Sequence, residues 1–193
     1  PDDKRPFRAD HDKADIMASV TAFPPLGDFH GQDAHPPGQR PQIIFHTTSG
    51  TTGKPQPLLF GPRSREVQNR LLARHYLMAG MTRDDVVHSV YGHGLINGGH
   101  YVRETVQHWV GARFMSAGTG IETRSAQQAF IMKEFGATAI VGFADYIRRL
   151  ADVAREEGFV PGRDINIRLI CAHLGSEPPA CLYTALRGPA VCD

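Results

Sequence analysis

The sequence has few cysteines, little net charge and no long apolar run. Its three cysteines, Cys171, Cys181 and Cys192, are an odd number spread widely, which argues against a disulfide framework and indicates reduced thiols. The net charge is +1, and no basic block argues for a nucleic-acid partner. No apolar run approaches the roughly 20 residues that a membrane helix needs. We therefore expect a cytoplasmic protein with neither nucleic acid nor a membrane as its partner.

The sequence also gives little support to a metal site. The best candidate pair is Cys171 and His173, which lie two positions apart in an apolar stretch and make half a site at most. A buried thiol beside a polar strand end explains the pair better. No metal-binding residue is therefore predicted.

The remaining composition is that of a globular domain. Apolar residues make up 41% and charged residues 21% of 193 residues, a length sufficient for one buried core. Residues 1–40 are rich in proline, aspartate, histidine and glycine and predict an irregular N-terminal arm, with a helical turn around Ile16, Met17 and Val20. The chain opens on Pro1 without methionine and stops at Asp193 in an apolar run, so we expect a piece of a longer protein.

From residue 41 onward, short apolar runs alternate with amphipathic helical segments. Strands are predicted at 42–47, 57–60, 85–91, 112–116, 137–143 and 165–175. Helices are predicted to begin at Pro62, Ser125, Phe143 and near Pro178. The prediction of the first helix rests on the helical spacing of Val67, Leu71, Leu72, His75 and Met78. The prediction of the second rests on a capping-box spacing between Ser125 and Gln128. This alternation predicts an α/β fold, with a parallel (mixed-edge) sheet and flanking helices.

The stretch "FHTTSGTTGKPQPLLFG" (45–61) joins two predicted strands through a loop of hydroxyls, glycines and one lysine. It is not a Walker A loop, because Gly50 and Gly53 enclose two residues and Lys54 is followed by Pro55 and a strand rather than a helix. A strand–loop–strand hairpin is predicted instead. Its amides, hydroxyls and Lys54 suit a phosphate, and a plain hairpin with no ligand is the alternative.

Three stretches carry a resemblance to a known family. The string "TTSGTTGKP" (47–55) resembles the phosphate-binding loop of the adenylate-forming superfamily of acyl-CoA synthetases, peptide-synthetase adenylation domains and luciferases. Its Gly-Lys-Pro order is similar to that of the phenylacetate-CoA ligase branch. "YGHGLINGG" (91–99) resembles that branch's Tyr-Gly-Tyr-Gly-Leu-Phe-Thr-Gly-Gly segment, and "LGSEPP" (174–179) its Gly-Ala-Glu-Pro segment beside the adenine. The resemblance covers about residues 41–180 and predicts that 41–193 is part of an AMP-binding N-terminal domain.

The resemblance implies a two-step aryl-acid:CoA ligase that uses an aromatic carboxylic acid, ATP, Mg²⁺ and CoA. The carboxylate attacks the α-phosphate to give an acyl-adenylate and pyrophosphate, and the CoA thiol then displaces AMP. Lys54 and Thr51 are the implied catalytic residues, within a phosphate-binding set of Thr48, Ser49, Gly50, Thr51, Thr52, Gly53 and Lys54. The implied adenine and ribose set is Gly175, Ser176, Glu177 and Pro178. The implied acid pocket consists of Tyr91, His93, Gly94, Leu95, Ile96, Gly142 and Phe143.

Several positions depart from the branch and leave the acid's identity open. His93 stands where the branch has a second aromatic residue, and Ile96 where it has phenylalanine. The branch's Thr-Pro-Ser-Tyr is replaced at 142–145 by "GFAD". For His93 and His100, hydrogen bonding within a loop is as good an interpretation as catalysis. For Tyr91 and Leu95, core packing is the alternative.

The family's Tyr-Gly-x-Thr/Ser-Glu motif and its C-terminal lysine are expected beyond Asp193, so the chain alone is predicted to be inactive. Three classes stay open: a piece of a ligase, a relative that has lost adenylation, and a stand-alone acyl- or nucleotide-binding module. Intact phosphate-loop residues such as Lys54 favour the first class. A homodimer is kept open as the assembly.

Overall fold

The computed structural model describes residues 12–48, 53–173 and 184–186. The chain divides into two units, Pro1–Ser64 and Arg65–Asp193. The boundary expected near residue 40 concerns the domains of a longer protein and stays a prediction. Among the described residues, no helix has the length and apolarity needed to cross a membrane.

The first unit begins with a helix that the sequence predicted only as a turn. Helix α1 spans Lys13–Ala22 and is opened by a reciprocal capping box. The Asp15 amide donates to the Asp12 carboxylate at 3.0 Å, and the Asp12 amide donates to the Asp15 carboxylate at 3.1 Å. These bonds satisfy two backbone donors that a helix start otherwise leaves open. A short 3₁₀ helix, Gln32–Ala34, follows.

The first unit ends with the predicted hairpin. Strands β1 (Ile44–Thr47) and β2 (Pro57–Phe60) pair antiparallel, with Thr47 opposite Pro57. They form a two-stranded sheet of their own. The strand–loop–strand prediction is thereby confirmed.

The second unit contains a four-stranded parallel sheet in the order β4-β3-β5-β6. The predicted α/β class with a parallel sheet and flanking helices is confirmed. Among the described residues the sheet has no antiparallel edge strand. The strands are β3 (Val86–Ser89), β4 (Arg113–Ser116), β5 (Ala139–Phe143) and β6 (Leu169–His173). Four helices of eight or more residues follow α1 among the described residues: α2 (Pro62–Met78), α3 (Asn97–Glu104), α4 (Ser125–Glu134) and α5 (Ala144–Glu156).

Helices cover both faces of this sheet, and β5 shows why. Successive side chains of a strand point to opposite faces. Ile140 packs into the core formed with α4 and α5, whereas Ala139 and Val141 pack into the core formed with α2 and α3. A strand buried on both faces reads as a continuous apolar run, as "AIVGF" does here.

Helix α3 and its continuation were not predicted. After α3 the chain passes into a π-helical segment, Thr105–Val110, which ends at Gly111 in the left-handed conformation. Val102, Val106 and Val110 recur every four residues and are all buried in the core beside α2. This spacing is a helical signal, but the β-branched residues and the Asn97 start obscure it because they lower helix propensity.

The buried face of helix α2 is not the face whose apolar spacing predicted the helix. Val67, Leu71 and Met78 are 50%, 64% and 78% exposed. The buried positions are Arg65, Asn69, Ala73 and Tyr76, at intervals of four, four and three residues. Polar contacts set this orientation, since Arg65 Nε lies 3.3 Å from Glu104 and the Asn69 amide donates to the same carboxylate at 3.0 Å.

Candidate functional site

The hairpin loop is closed by two bonds between its first and last residues. The Thr48 amide donates to the Gln56 carbonyl, and the Gln56 amide donates to the Thr48 hydroxyl oxygen, each at 3.0 Å. Because that oxygen accepts, the hydroxyl proton stays available for another acceptor. Thr48 therefore combines a structural bond with a donor suited to phosphate.

Beyond this closure, the structure describes only the far side of the predicted phosphate loop. Lys54 is exposed. Gly53 has a backbone φ of +137°, a conformation that residues other than glycine rarely adopt. The other predicted phosphate-binding residues, Ser49, Gly50, Thr51 and Thr52, lie outside the described residues. The phosphate and catalytic assignments in this loop therefore stay predictions.

The topology of the parallel sheet marks one edge as a binding edge. From β3 the chain goes to β4 on one side and then to β5 on the other. In open α/β sheets, ligands bind outside the carboxyl ends of the strands at such a switch point. The switch point here lies between β3 and β5. Tyr91 lies two residues after the end of β3, and Gly142 and Phe143 end β5.

An aromatic group, defined as Tyr91, Phe143 and His173, occupies this edge. The Tyr91 and Phe143 rings meet edge to face at 5.1 Å, and Phe143 meets His173 at 5.9 Å. The Tyr91 hydroxyl donates to the Gly142 carbonyl at 3.3 Å. Burial, with the nearby Tyr101 and Cys171, raises the pKa of Tyr91 to about 12, so the phenol is neutral and serves as a fixed donor rather than a base.

Gly142 brings the ends of β3 and β5 close together. A Cβ at this position would lie 2.1 Å from the Val90 side chain, a distance that no real contact allows. The structure thus unites the predicted pocket residues Tyr91, Gly142 and Phe143. It adds His173, which the sequence did not assign to the pocket and which pairs with Phe143 in the β5–β6 register.

A second group, here called the imidazole group, consists of His93, His100 and Ser116. The Ser116 hydroxyl lies 3.0 Å from His93 Nε2, and the His93 and His100 rings meet edge to face at 5.6 Å. His100 is bonded in turn to the Gly94 carbonyl at 2.8 Å. Burial, with the nearby His100 and Arg103, lowers the pKa of His93 against the opposing effect of Glu122, so this imidazole is neutral at pH 7.

Exposed apolar side chains lie in the loop that begins α3. Leu95 is 64% and Ile96 56% exposed, and Phe143 at the end of β5 is 50% exposed. Core packing, the alternative for Leu95, is therefore wrong. Apolar groups exposed beside a switch point suit an apolar ligand.

Close glycine contacts hold this loop against α3. A Cβ on Gly99 would lie 2.2 Å from the Gly92 carbonyl oxygen and 3.3 Å from His93 Cδ2, whereas one on Gly98 would lie at an ordinary 3.7 Å from the Tyr91 ring. The backbone of the loop cannot give way as a flexible side chain can. The absence of a side chain at Gly99 therefore permits the close approach of α3 to Gly92 and His93.

We expect Gly99→Ala to destabilise the chain and Gly98→Ala to be neutral or slightly stabilising. Alanine gains roughly 0.5–1 kcal/mol over glycine within a helix, but a clash with backbone costs roughly 1–3 kcal/mol. Only Gly99→Ala meets the clash. Urea unfolding of both variants measures the difference, and equal stability of the two would contradict this packing.

A buried network supports the loop after β4. The Gln128 amide donates to the carbonyls of Thr123 (2.8 Å), Gly118 (3.1 Å) and Thr119 (3.3 Å), and its oxygen lies 3.0 Å from His88 Nε2. Burial lowers the pKa of His88 despite this bond. All three acceptors are backbone carbonyls of the turn at 118–123. The fully buried Gln128 amide therefore holds this turn in shape.

The remaining site predictions are not placed by the structure. Gly175, Ser176, Glu177 and Pro178 lie outside the described residues. Within 12–48, 53–173 and 184–186, no group of three or more histidine, cysteine, aspartate or glutamate side chains could hold a metal ion. Burial raises the pKa of the Cys171 thiol to about 11, as for an inert thiol.

Comparisons with known proteins agree with this architecture. No protein-family model matches the chain. Two curated relatives are phenylacetate-coenzyme A ligases. That of Pseudomonas putida is 28% identical over 175 residues, covering 86% of this chain and 38% of the relative. That of Escherichia coli (strain K12) is 30% identical over 143 residues, covering 70% of this chain and 30% of the relative.

A solved structure is similar in fold. It is a crystal structure of 2-hydroxyisobutyryl-CoA ligase in complex with 2-HIB-AMP and CoA in the thioesterification state. The match has a TM-score of 0.73 and 27% identity, and it covers 90% of this chain and 36% of that one. The chain thus spans less than two fifths of the length of the proteins it matches. The resemblance to the adenylate-forming superfamily, over its N-terminal part, is confirmed.

Proposed function

We propose that this chain is the N-terminal part of the adenylation domain of an ATP-dependent acid:CoA ligase, acting on an aryl acid of the phenylacetate or benzoate type. The observation that carries the proposal is the aromatic group at the β3–β5 switch point, in a chain that also contains the "TTSGTTGKP" hairpin. The similar ligases share the acid:CoA reaction class.

The reaction has two steps. A carboxylate oxygen of the acid attacks the α-phosphorus of ATP, and the bond from that phosphorus to the bridging oxygen of pyrophosphate breaks. The CoA thiol then attacks the acyl carbon, loses its proton, and AMP leaves with the former carboxylate oxygen. Neither step needs a covalent enzyme intermediate, so the protein acts by positioning and by stabilising charge.

The phosphate loop would stabilise the charge that develops on pyrophosphate. Its amides, the Thr48 and Thr51 hydroxyls and the Lys54 ammonium would contact the β and γ phosphates. A hydrogen bond to a charged partner contributes about 1.5–3 kcal/mol. Lys54 is exposed, so its ammonium is open to an anionic ligand. Ser49, Gly50, Thr52 and Gly53 complete the proposed cradle.

The aromatic group would form one wall of the acid pocket. The Tyr91 hydroxyl donates its proton to the Gly142 carbonyl. Tyr91 would therefore help to shape the pocket and would take no proton from the acid. Phe143 is half exposed and would offer its apolar surface to the ligand. Leu95 and Ile96 would border the pocket on the α3 side.

Other parts of the proposal concern groups that the described residues do not include. Gly175 to Pro178 would border the adenine and ribose. Mg²⁺ stays a prediction, since the described residues supply no metal-binding cluster, and no step is assigned to it. Cytoplasmic location and a homodimeric assembly also stay proposals.

A panel of acids tests the function in the full-length parent. Benzoates, phenylacetates and cinnamates are expected to support pyrophosphate release from ATP and then formation of a CoA thioester, measured by a coupled assay and by mass spectrometry. Fatty acids and amino acids serve as the comparison set. A response to long-chain or amino acids alone would contradict the aryl-acid assignment.

A further inference from the structure

The imidazole group lies on the β4 side of the pocket edge and has hydrogen-bonding capacity to spare. Ser116 ends β4 and is exposed. Its hydroxyl has one donor and two acceptor sites, and its hydrogen-bond partner among the described residues is His93. Because Ser116 is exposed, the remaining capacity is open to a ligand beside a neutral imidazole.

A neutral donor–acceptor pair suits a neutral polar group. His93 carries no charge at pH 7, because burial and the nearby His100 and Arg103 lower its pKa. An uncharged imidazole and a hydroxyl exchange hydrogen bonds well with a hydroxyl group, whereas a carboxylate is held better by charged partners. The group is therefore built for an alcohol or phenol.

Glu122 disfavours a carboxylate at this position. Its Oε1 would lie 3.1 Å from a Cβ on Gly92, the residue before His93. Bonds from Thr119 keep the pKa of Glu122 below its usual range despite an opposing effect of burial, so it is ionised. Like charges repel at close range, so the charge of Glu122 disfavours a ligand carboxylate beside Gly92 and His93.

The sheet gives the separation between the two ends of the ligand. Ser116 ends β4 and Phe143 ends β5, with β3 between them. Two interstrand spacings amount to roughly 10 Å. A hydroxyl bound at Ser116 is thus separated from the β5 side of the pocket by about the length of an aromatic ring and its substituents.

We propose that the acid carries a hydroxyl group on its aromatic ring, at the end remote from the carboxylate, and that His93 and Ser116 bind this hydroxyl. The inference rests on the proposed function and narrows its substrate class to ring-hydroxylated aryl acids. His93 and Ser116 are specificity-determining residues, and neither takes part in the transfer of the acyl group.

The test compares 4-hydroxyphenylacetate with phenylacetate in the full-length parent. We expect kcat/KM for pyrophosphate release to favour the hydroxylated acid by about tenfold, the size of one hydrogen bond to a neutral partner. His93→Phe and Ser116→Ala should each bring this ratio close to one, and Ser116→Thr, which keeps the hydroxyl, should retain it. His108→Phe, at an exposed histidine of the π-helical segment, is the matched control and should leave the ratio unchanged.

Each outcome separates the two proposals. Release with phenylacetate but no preference for its hydroxylated form would overturn this inference alone. So would a preference that survives in both Ser116→Ala and His93→Phe, or a stronger preference for a 2-hydroxy acid such as mandelate. No release with any carboxylic acid would overturn the proposed function, and this inference with it. If His93→Phe does not fold, Ser116→Ala at the exposed strand end decides the question.

Discussion

The 193-residue chain, incubated with ATP, Mg²⁺ and aromatic acids, is expected to release no pyrophosphate above background. It matches at most 38% of the length of the curated ligases. The family resemblance places the adenine-stacking tyrosine, the magnesium-binding glutamate and the adenylation lysine in the part of a ligase that follows. Without these groups, the phosphate loop and the proposed 175–178 segment would hold ATP with no ring stacked on the adenine and no glutamate on the metal ion.

Weak ATP binding is expected from the same chain. A loop that contacts only phosphates should give a Kd near millimolar or weaker, on the order of 4 kcal/mol. Calorimetric titration with ATP and Mg²⁺ measures it, with the full-length parent as the positive control. Micromolar affinity, or any turnover above background, would show that these 193 residues form a complete nucleotide site.

In the full-length parent, Lys54→Ala is expected to slow acyl-adenylate formation by roughly one to two decades. The ammonium would contribute one charge-assisted contact to pyrophosphate, worth about 1.5–3 kcal/mol, and tenfold in rate corresponds to about 1.4 kcal/mol. Thioester formation from supplied acyl-adenylate should be nearly unchanged, because pyrophosphate has already left. Single-turnover assays of each half-reaction measure the two effects.

Lys133→Ala is the matched control for the loss of a lysine charge. Lys133 lies on α4, with its ammonium 5.0 Å from the Phe159 ring, and has no assigned role in phosphate binding. This variant should leave both half-reactions unchanged. Equal slowing of both half-reactions by Lys54→Ala would mean that the loop is structural and does not bind phosphate.

The elements that the sequence predicts best are those with strong local patterns. The buried run "AIVGF" predicts β5. Of the residues at helical spacing that predicted α5, Ile147, Leu150, Ala151 and Ala154 are buried, whereas Phe143 ends β5 and is half exposed. The order of the strands is a different matter. The order depends on which face of the sheet each connecting helix packs against, and the residues of a single strand carry no information on this.

Errors arose where distant partners decide the local structure. The capping box predicted at Ser125 and Gln128 is wrong, because Arg124 is the N-cap and makes no side-chain cap. The Ser125 hydroxyl instead lies 3.0 Å from the Tyr146 hydroxyl, and Gln128 reaches the buried His88. Both partners lie far away in sequence, so spacing alone could not reveal them.

The residues of the proposed pocket also divide into those predicted from local sequence and those missed because distant parts of the chain place them. Tyr91 and Phe143 were predicted through motif resemblance, and the structure brings them together at the switch point. Ser116 and His173 were missed, since each joins the edge only through its register in the parallel sheet. Both stand at the carboxyl end of a strand, a signal that becomes usable once the sheet order is known.

Isotope transfer tests the central proposal, that this chain belongs to an enzyme that activates a carboxylate as its adenylate. The full-length parent is given an aryl acid whose carboxylate is labelled with ¹⁸O, together with ATP and CoA, and the products are analysed by mass spectrometry. If the carboxylate attacks the α-phosphorus and the thiol then cleaves the acyl–oxygen bond, the AMP carries one ¹⁸O atom and the thioester retains the other. ADP with ¹⁸O in inorganic phosphate, or AMP free of label, would contradict the adenylate mechanism.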